Sequence, residues 1–250
     1  MAGTPTLAMV LDGLSTAGLS TGCRHGVPWY VAHLGGSLLA ALADLDRPLS
    51  EGFADALERV AAMHPRCDLK DPGTPSATVA ILRHKYGVLE HLVLADSPIV
   101  FHGTDGFNVI SDLRVDDVLP DLRAEIESHP THTPGHRVAL QRFVLAQRQL
   151  RNVPGGYWVA AAHPNAAEHA LTGSTPMRGV RAAAVMSDGV SRLVTEYEMA
   201  TWAEVFATLQ IGGPRKLIQT VREVEATDPT GLRWPRYKSG DDATVAYCQW

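Results

Sequence analysis

The sequence contains little cysteine and no long apolar run. Its three cysteines, Cys23, Cys67 and Cys248, are far apart and odd in number. They do not form a disulfide framework, so we interpret them as unpaired thiols in a reducing compartment. No apolar run approaches the roughly 20 residues that a membrane helix needs, and the N-terminus lacks a basic stretch followed by an apolar one. We therefore expect a soluble cytoplasmic protein with no membrane partner.

The chain also lacks a strong excess of one charge. Its formal net charge is -5 over 250 residues, and Lys and Arg do not cluster. Nucleic-acid-binding proteins usually carry a basic face, so no nucleic-acid partner is expected. The hydrophobic fraction of 45% and charged fraction of 20% are typical of folded proteins. A chain of this length can bury one sizeable core, and we predict a single domain over residues 1–250.

Four apolar segments each carry an aspartate at one end. The most uniform is 182–186, which leads to Asp188, and such a run is typical of a strand buried on both faces. The others are 7–11, which leads to Asp12, 91–95, which leads to Asp96, and 243–247, which follows Asp241. Each aspartate alone is also a common turn residue. Four together favour a carboxylate cluster at the rim of a core, where mutual repulsion calls for a cation.

The remaining pattern predicts strands in meander order and helices in pairs. Strands are predicted at 76–83, 88–95, 98–102, 107–111, 157–161, 180–186 and 243–247. Helices are predicted at 29–45, 51–64 with Ser50 as N-cap, 165–171, 200–209 and 214–226, and a helix-compatible region covers 115–152 with a break at 128–135. Short turns between strands predict antiparallel neighbours, and we expect no hairpin before the first strand. The pattern indicates an α+β sandwich of antiparallel sheets covered by helices.

Oxygen-rich sites of this kind suit hard divalent cations. Mg²⁺ and Mn²⁺ take oxygen ligands in octahedral geometry and keep several waters, so a few carboxylates suffice. A glycine after an acidic ligand, such as Gly13 after Asp12, lets a backbone carbonyl turn toward the ion. The sequence therefore predicts a Mg²⁺ or Mn²⁺ site.

The order of these motifs resembles that of the 2C-type metal-dependent protein phosphatases over nearly the whole chain. The matching motifs are Asp12-Gly13, the small-residue strand Ser76-Ala-Thr-Val, Leu94-Ala-Asp-Ser97, Met186-Ser-Asp-Gly189 and Asp241-Asp-Ala-Thr244. The resemblance implies a four-layer αββα sandwich of two antiparallel sheets flanked by helices.

The resemblance also implies a ligand set and a reaction. Asp12 would bridge two ions, Gly13 would lend its carbonyl, and Asp188 and Asp241 would complete the first ion's site. Asp96 would hold a third ion together with Asp188. Two or three Mg²⁺ or Mn²⁺ ions would activate a bound water for direct attack on a phosphate monoester. The implied substrate is a phosphorylated protein carrying phosphoserine or phosphothreonine.

Two features depart from the family pattern. The family begins with a strand bearing Arg or Asn and a Glu-Asp pair, and this sequence is predicted to lack that strand. Leu14 stands where many eukaryotic members have a histidine, so it cannot donate a proton to the leaving group. The alternative function is a pseudophosphatase, in which the fold serves as a binding or regulatory module.

Basic residues near the acidic motifs are candidates for substrate binding. Arg24 is a possible phosphate contact, and the alternative is a solvated loop arginine. Arg233, Arg236 and Lys238 precede the last acidic motif, where they either steer an anionic substrate or form a solvated loop.

Overall fold

The computed structural model describes residues 1–250 and contains nine strands. They are β1 (Ala2–Thr4), β2 (Leu7–Gly13), β3 (Ala77–Lys85), β4 (Val88–Leu94), β5 (Ile99–Gly103), β6 (Gly106–Ile110), β7 (Leu171–Pro176), β8 (Val180–Met186) and β9 (Val245–Gln249). The first sheet has the order β1-β2-β3-β4-β7, and the second has the order β6-β5-β8-β9. All neighbouring strands are antiparallel, as the short turns predicted.

Six α-helices and two short 3₁₀ helices complete the fold. The α-helices are α1 (Gly26–Ala41), α2 (Leu49–Ala62), α3 (Pro120–Glu127), α4 (Pro134–Gln149), α5 (Asp188–Thr195) and α6 (Trp202–Ala226). The 3₁₀ helices cover Leu113–Val115 and Pro164–His169. No helix combines the length and the apolar character required to cross a lipid bilayer.

Three hydrophobic clusters hold four layers together. Val93 of the first sheet and Phe101 of the second belong to the cluster between the sheets. Leu34 of α1 and Phe53 of α2 pack on the outer face of the first sheet, and Phe206 of α6 belongs to the cluster on the outer face of the second. The αββα sandwich implied by the resemblance is therefore confirmed.

Strand β2 shows why the segments that end at an aspartate are otherwise apolar. Met9 and Leu11 belong to the cluster under α1 and α2, whereas Val10 belongs to the cluster between the sheets. Successive side chains of a strand point to opposite faces, and both faces of β2 are covered. A strand buried on both faces has no position for a polar residue until it reaches the rim, where Asp12 lies.

The prediction that no hairpin precedes the first apolar strand is wrong. Strand β1 pairs with β2 across a turn at Pro5 and Thr6, with Thr4 opposite Leu7 and Ala2 opposite Met9. This hairpin was missed because its first strand has three residues and little apolar character. The pairing covers only the first part of β2.

Two other local predictions are wrong. Helix α2 begins at Leu49, and Pro48 occupies the N-cap position that was assigned to Ser50. Residues 157–161 form no strand, because Ala160 joins the first sheet only through an isolated bridge to Ala77. Their apolar character reflects burial in two clusters, which an apolar run alone cannot distinguish from strand pairing.

Two elements besides β1 lie outside the predicted set. Strand β7 is mostly exposed and rich in Thr, Ser and Gly, so it carries no hydrophobic signal, as is common for an edge strand. Helix α5 begins at Asp188 itself.

The break predicted between two C-terminal helices is present as a kink at Gly213, which has a φ of 70° and precedes Pro214.

Candidate metal centre

Asp12 is placed by the register of the first sheet. It pairs with Thr78 of β3, one residue before β2 ends at Gly13. A Cβ atom on Gly13 would lie 2.3 Å from Cγ1 of Val27, so only glycine lets the start of α1 pack this closely on the strand end. Gly13 therefore has a packing role at this strand end, and it also lines the cavity at the carboxylates.

Asp188 and Asp241 are brought together by Ser187 and Gly189. The Ser187 hydroxyl donates to the carbonyl of Asp242 at 2.9 Å and accepts from the Thr244 N–H at 3.0 Å. A Cβ atom on Gly189 would lie 2.4 Å from the Asp242 carbonyl oxygen. The Ser-Asp-Gly segment thus binds the loop before β9 directly, and this contact fixes two acidic residues from distant parts of the chain.

The three carboxylates converge. One oxygen from each of Asp12, Asp188 and Asp241 lies within 4.8 Å of the others. Ligand oxygens around one octahedral Mg²⁺ or Mn²⁺, with bonds of about 2.1 Å, are at most about 4.2 Å apart. A small closing movement would therefore let all three bind one ion.

The electrostatics of this cluster fit a cation site. Burial, followed by the charge of Asp188 and a hydrogen bond with it, raises the pKa of Asp12 to about 9. Burial also raises the pKa of Asp188, with a further contribution from Asp241 that Arg192 opposes. Without a cation, Asp12 keeps its proton at neutral pH.

Asp96 lies beside this cluster rather than in it. Burial and the charge of Asp188 raise the pKa of Asp96 to about 8, and Asp96 and Gly13 line the same cavity as the three carboxylates. The preceding Ala95 has a φ of 66°, and its N–H donates to Asp112 at 3.1 Å. A left-handed backbone favours glycine, so Ala95 holds a conformation that a residue with a side chain adopts less readily.

Two positively charged side chains contact the acidic cluster. The Arg192 guanidinium lies 3.2 Å from Asp188 and 3.2 Å from Asp241, and the Lys238 ammonium lies 2.6 Å from Asp241. Sequence analysis missed Arg192, although its position four residues after Asp188 on a helix places the two side chains on one face. The Arg192 Nη1 is buried and its contact with Asp241 lacks hydrogen-bond geometry, so this donor has no hydrogen-bond partner.

The carboxylates open into a cleft. They line a cavity of about 140 Å³, which adjoins a second of about 630 Å³. Both are lined by Arg123, Arg192 and Tyr237, and burial raises the pKa of Tyr237 to about 12, so its hydroxyl stays protonated. The Leu14 side chain lines the smaller cavity, where it offers no proton.

Other candidates from the sequence lie elsewhere. Arg24 is exposed and lines neither cavity; its Nε lies 3.3 Å from His25 Nε2. Arg236 is buried in an ion pair with Asp228 at 3.0 Å, so it does not belong to a solvated loop, and with Arg233 it lines the larger cavity. Of the three basic residues before the last strand, Lys238 reaches the carboxylates.

Comparison with known proteins supports the fold by structure but not by sequence. No family profile matches the sequence, and no curated protein matches it. The manganese-bound catalytic domain of the serine/threonine phosphatase PstP superposes with a TM-score of 0.51 and 17% identity, covering 100% of this chain and 89% of that chain. Staphylococcus aureus serine/threonine phosphatase Stp1 gives a TM-score of 0.56 and 12% identity over 98% and 83%.

A third similar structure is a sex-determining protein of C. elegans, with a TM-score of 0.55 and 15% identity. The match covers 97% of this chain and 56% of that protein. All three sequence identities are low, so the likeness concerns the fold. The protein has the fold of the 2C-type serine/threonine phosphatases.

Proposed function

We propose that the protein is a metal-dependent phosphatase that hydrolyses phosphoserine and phosphothreonine in proteins. The observation that carries the proposal is the convergence of Asp12, Asp188 and Asp241 at a cleft in this fold. The protein substrate rests on fold-level analogy with serine/threonine phosphatases. The free cysteines are consistent with the reducing conditions of the cytoplasm.

In this proposal the acidic residues hold the ions. Asp12, Asp188 and Asp241 would hold the first Mg²⁺ or Mn²⁺, Asp12 and the Gly13 carbonyl would provide for a second, and Asp96 with Asp188 would provide for a third. When bound, such ions lower the pKa of water and neutralise phosphoryl oxygens. A cation would also remove the cost of keeping several buried carboxyl groups together.

The basic residues of the cleft bind the substrate phosphate. Arg192 and Lys238 balance the carboxylates in the metal-free protein. Divalent cations would take over that role and leave the guanidinium and ammonium groups to face an anion. The buried Arg192 Nη1 already lacks a hydrogen-bond partner, and guanidinium donors match phosphate oxygens well. Arg123 offers a second guanidinium on the same wall.

One observation favours the alternative of a pseudophosphatase. Arg192 contacts both Asp188 and Asp241 and so supplies positive charge where a metal ion would. If these pairs persist in the presence of Mn²⁺, the cleft is a binding site for phosphorylated or other anionic segments rather than a catalytic one.

Hydrolysis of para-nitrophenyl phosphate and of phosphothreonine peptides, with and without Mn²⁺, separates the two functions. The phosphatase predicts manganese-dependent turnover that Asp188→Ala abolishes and that Asp117→Ala, a change at an exposed aspartate, leaves intact. Peptide binding without turnover supports the binding module. Turnover that survives both EDTA and Asp188→Ala would refute the metal mechanism.

A further inference from the structure

A second group of potential metal ligands lies away from the acidic centre. Cys23 and His25 lie in the segment between β2 and α1, and Cys67 lies between α2 and β3. The Nδ1 atom of His25 is 3.7 Å from the Cys23 Sγ and 3.6 Å from the Cys67 Sγ. All three ligand atoms lie within 4.8 Å of one another. The cysteines that are 44 positions apart in the sequence are therefore neighbours in the fold.

These distances match a tetrahedral zinc site. With bonds of about 2.3 Å to sulfur and about 2.0 Å to nitrogen, two ligands of one Zn²⁺ are separated by about 3.5 Å for S and N and about 3.8 Å for two S atoms. The two measured sulfur–nitrogen distances exceed the first value by about 0.2 Å or less. The two sulfur atoms lie within 4.8 Å of each other, so one ion placed between the three atoms would draw the sulfurs together by about 1 Å at most.

Burial raises the pKa of the Cys23 thiol, and backbone donors at His25 and Gly26 oppose that rise. The His25 N–H donates to the Cys23 Sγ at 3.4 Å. Helix α1, 16 residues long, begins at Gly26, three residues after the cysteine. Backbone donors and the positive end of a helix dipole both stabilise a negative sulfur.

The imidazole groups are positioned by packing and hydrogen bonds. The His25 ring stacks on Trp29 with a centroid distance of 4.4 Å, which fixes the direction of its Nδ1. The buried His64 ring lies edge-on to His25 at 4.9 Å. The His64 Nδ1 donates to the Val60 carbonyl at 2.7 Å. Metal-bound histidines commonly make this bond to a backbone carbonyl.

We propose that Cys23, His25 and Cys67 bind a Zn²⁺ ion beside the His64 ring. Two thiolates and an imidazole are soft and borderline ligands that prefer Zn²⁺ to the hard ions expected at the acidic centre. The site joins two segments that are already linked by a hydrogen bond from the Asp68 N–H to the Gly22 carbonyl at 3.1 Å. It fixes the segment that leads out of the Asp12-Gly13 strand end.

Cobalt substitution tests this site independently of any enzyme activity. Metal-free protein, prepared with EDTA under reductant, is titrated with Co²⁺. We expect one equivalent to produce thiolate-to-cobalt charge-transfer absorption and the strong visible bands of tetrahedral cobalt, and Zn²⁺ to displace both. The acidic centre has only oxygen ligands and gives no thiolate band, so Asp188→Ala should retain the signal even if the proposed phosphatase function is wrong.

Matched cysteine variants locate the site. Cys67→Ser leaves one thiolate, so it should reduce the charge-transfer band by about half or more and lower zinc affinity at least about tenfold. Cys248→Ser, which changes the remote cysteine of β9, should bind as the wild type does. Circular dichroism of the metal-free variants checks that both fold. Absence of the band in the wild type, or an unchanged band in folded Cys67→Ser, would overturn the proposal. A Cys23–Cys67 disulfide that persists under reductant would do the same.

Discussion

Replacing Asp12 with asparagine is expected to stabilise the protein when no divalent cation is bound. Burial and the neighbouring carboxylates raise the pKa of Asp12 from 3.8 to about 9. At neutral pH the folded, metal-free protein therefore keeps this proton, whereas the unfolded chain releases it. The amide in Asp12→Asn has nearly the shape of the protonated acid and can still donate to Asp188, but it does not ionise in the unfolded state.

The size of the effect follows from proton linkage. Each pH unit above the ordinary pKa costs the folded state about 1.36 kcal/mol, up to the folded-state pKa. About three units separate 3.8 from neutrality, which sets an upper limit of about 4 kcal/mol. Since Asp12 and Asp188 share the proton and the site can relax, we expect a gain of about 2 kcal/mol.

The size of this gain depends on pH. The free energy of unfolding of the metal-free wild type should fall as pH rises from about 4 to about 9, the interval between the unfolded and folded pKa values of Asp12. The variant lacks this contribution. Its advantage should therefore be small at pH 5 and larger at pH 8.

Urea denaturation in EDTA at these two pH values measures the difference, with Asp117→Asn as the exposed control. Added Mn²⁺ should then reverse the order, because an ion that binds only the folded state stabilises it by mass action and the variant has lost a ligand. A variant that is no more stable than the wild type at pH 8 in EDTA, or whose gain is the same at both pH values, would refute the reasoning.

Three further substitutions probe the packing around the site. Gly189→Ala puts a methyl group 2.4 Å from the Asp242 carbonyl oxygen, so calorimetry should show a loss of about 1–3 kcal/mol in stability and weaker Mn²⁺ binding. The control Gly36→Ala, with open space around it, should be neutral or stabilising. Equal effects of the two substitutions would contradict the contact at Gly189. Arg192→Ala should lower the free energy of unfolding by about 3 kcal/mol in EDTA, because it leaves buried carboxylates unpaired. Thermal melts should show a smaller loss when Mn²⁺ is added. An unchanged loss would argue against a cation site. Arg236→Met removes a buried ion pair and should cost about 3 kcal/mol in stability. Titration calorimetry should show an unchanged Mn²⁺ affinity. A loss of affinity in the folded variant would show that Arg236 supports the metal site.

Arg192 has a place in both candidate functions. In the metal-free protein it balances two of the three carboxylates, which lowers the cost of assembling the site before an ion arrives. The same guanidinium lines the cleft beside the carboxylates, where a substrate phosphate would approach. The effect of Arg192→Ala on Mn²⁺ binding therefore distinguishes the two functions. In the phosphatase the ion displaces Arg192 from the carboxylates, whereas in the pseudophosphatase Arg192 occupies the place of the ion.

Hydrophobic patterning in the sequence was enough to predict the main elements and the layered class. Segments such as 7–11 and 182–186 are apolar because both faces of their strands are covered, and a local pattern records that burial directly. The paired helices and the kink before Pro214 also follow from local signals. The short strand β1 and the exposed strand β7 left no such signal, because they bury little apolar surface.

The acidic motifs marked individual strand ends, and resemblance supplied their order. The convergence of Asp12, Asp188 and Asp241 required the pairing of two sheets and the close contact at Gly189. No pattern within a segment encodes the distance between residues more than 150 positions apart. Arg192 was overlooked for a related reason, since its partners are set by where α5 begins.

The cysteines show most clearly the difference between what the sequence predicts and what the tertiary structure decides. Their number and spacing predicted free thiols, and all three are free. Only the packing of α1 and α2 on the first sheet brings Cys23 and Cys67 to the same histidine. The sequence determined which segments are buried and which residue types lie at their ends, because burial is recorded locally in side-chain chemistry. The tertiary structure decided which of those ends meet, because that depends on the packing of elements distant in the chain.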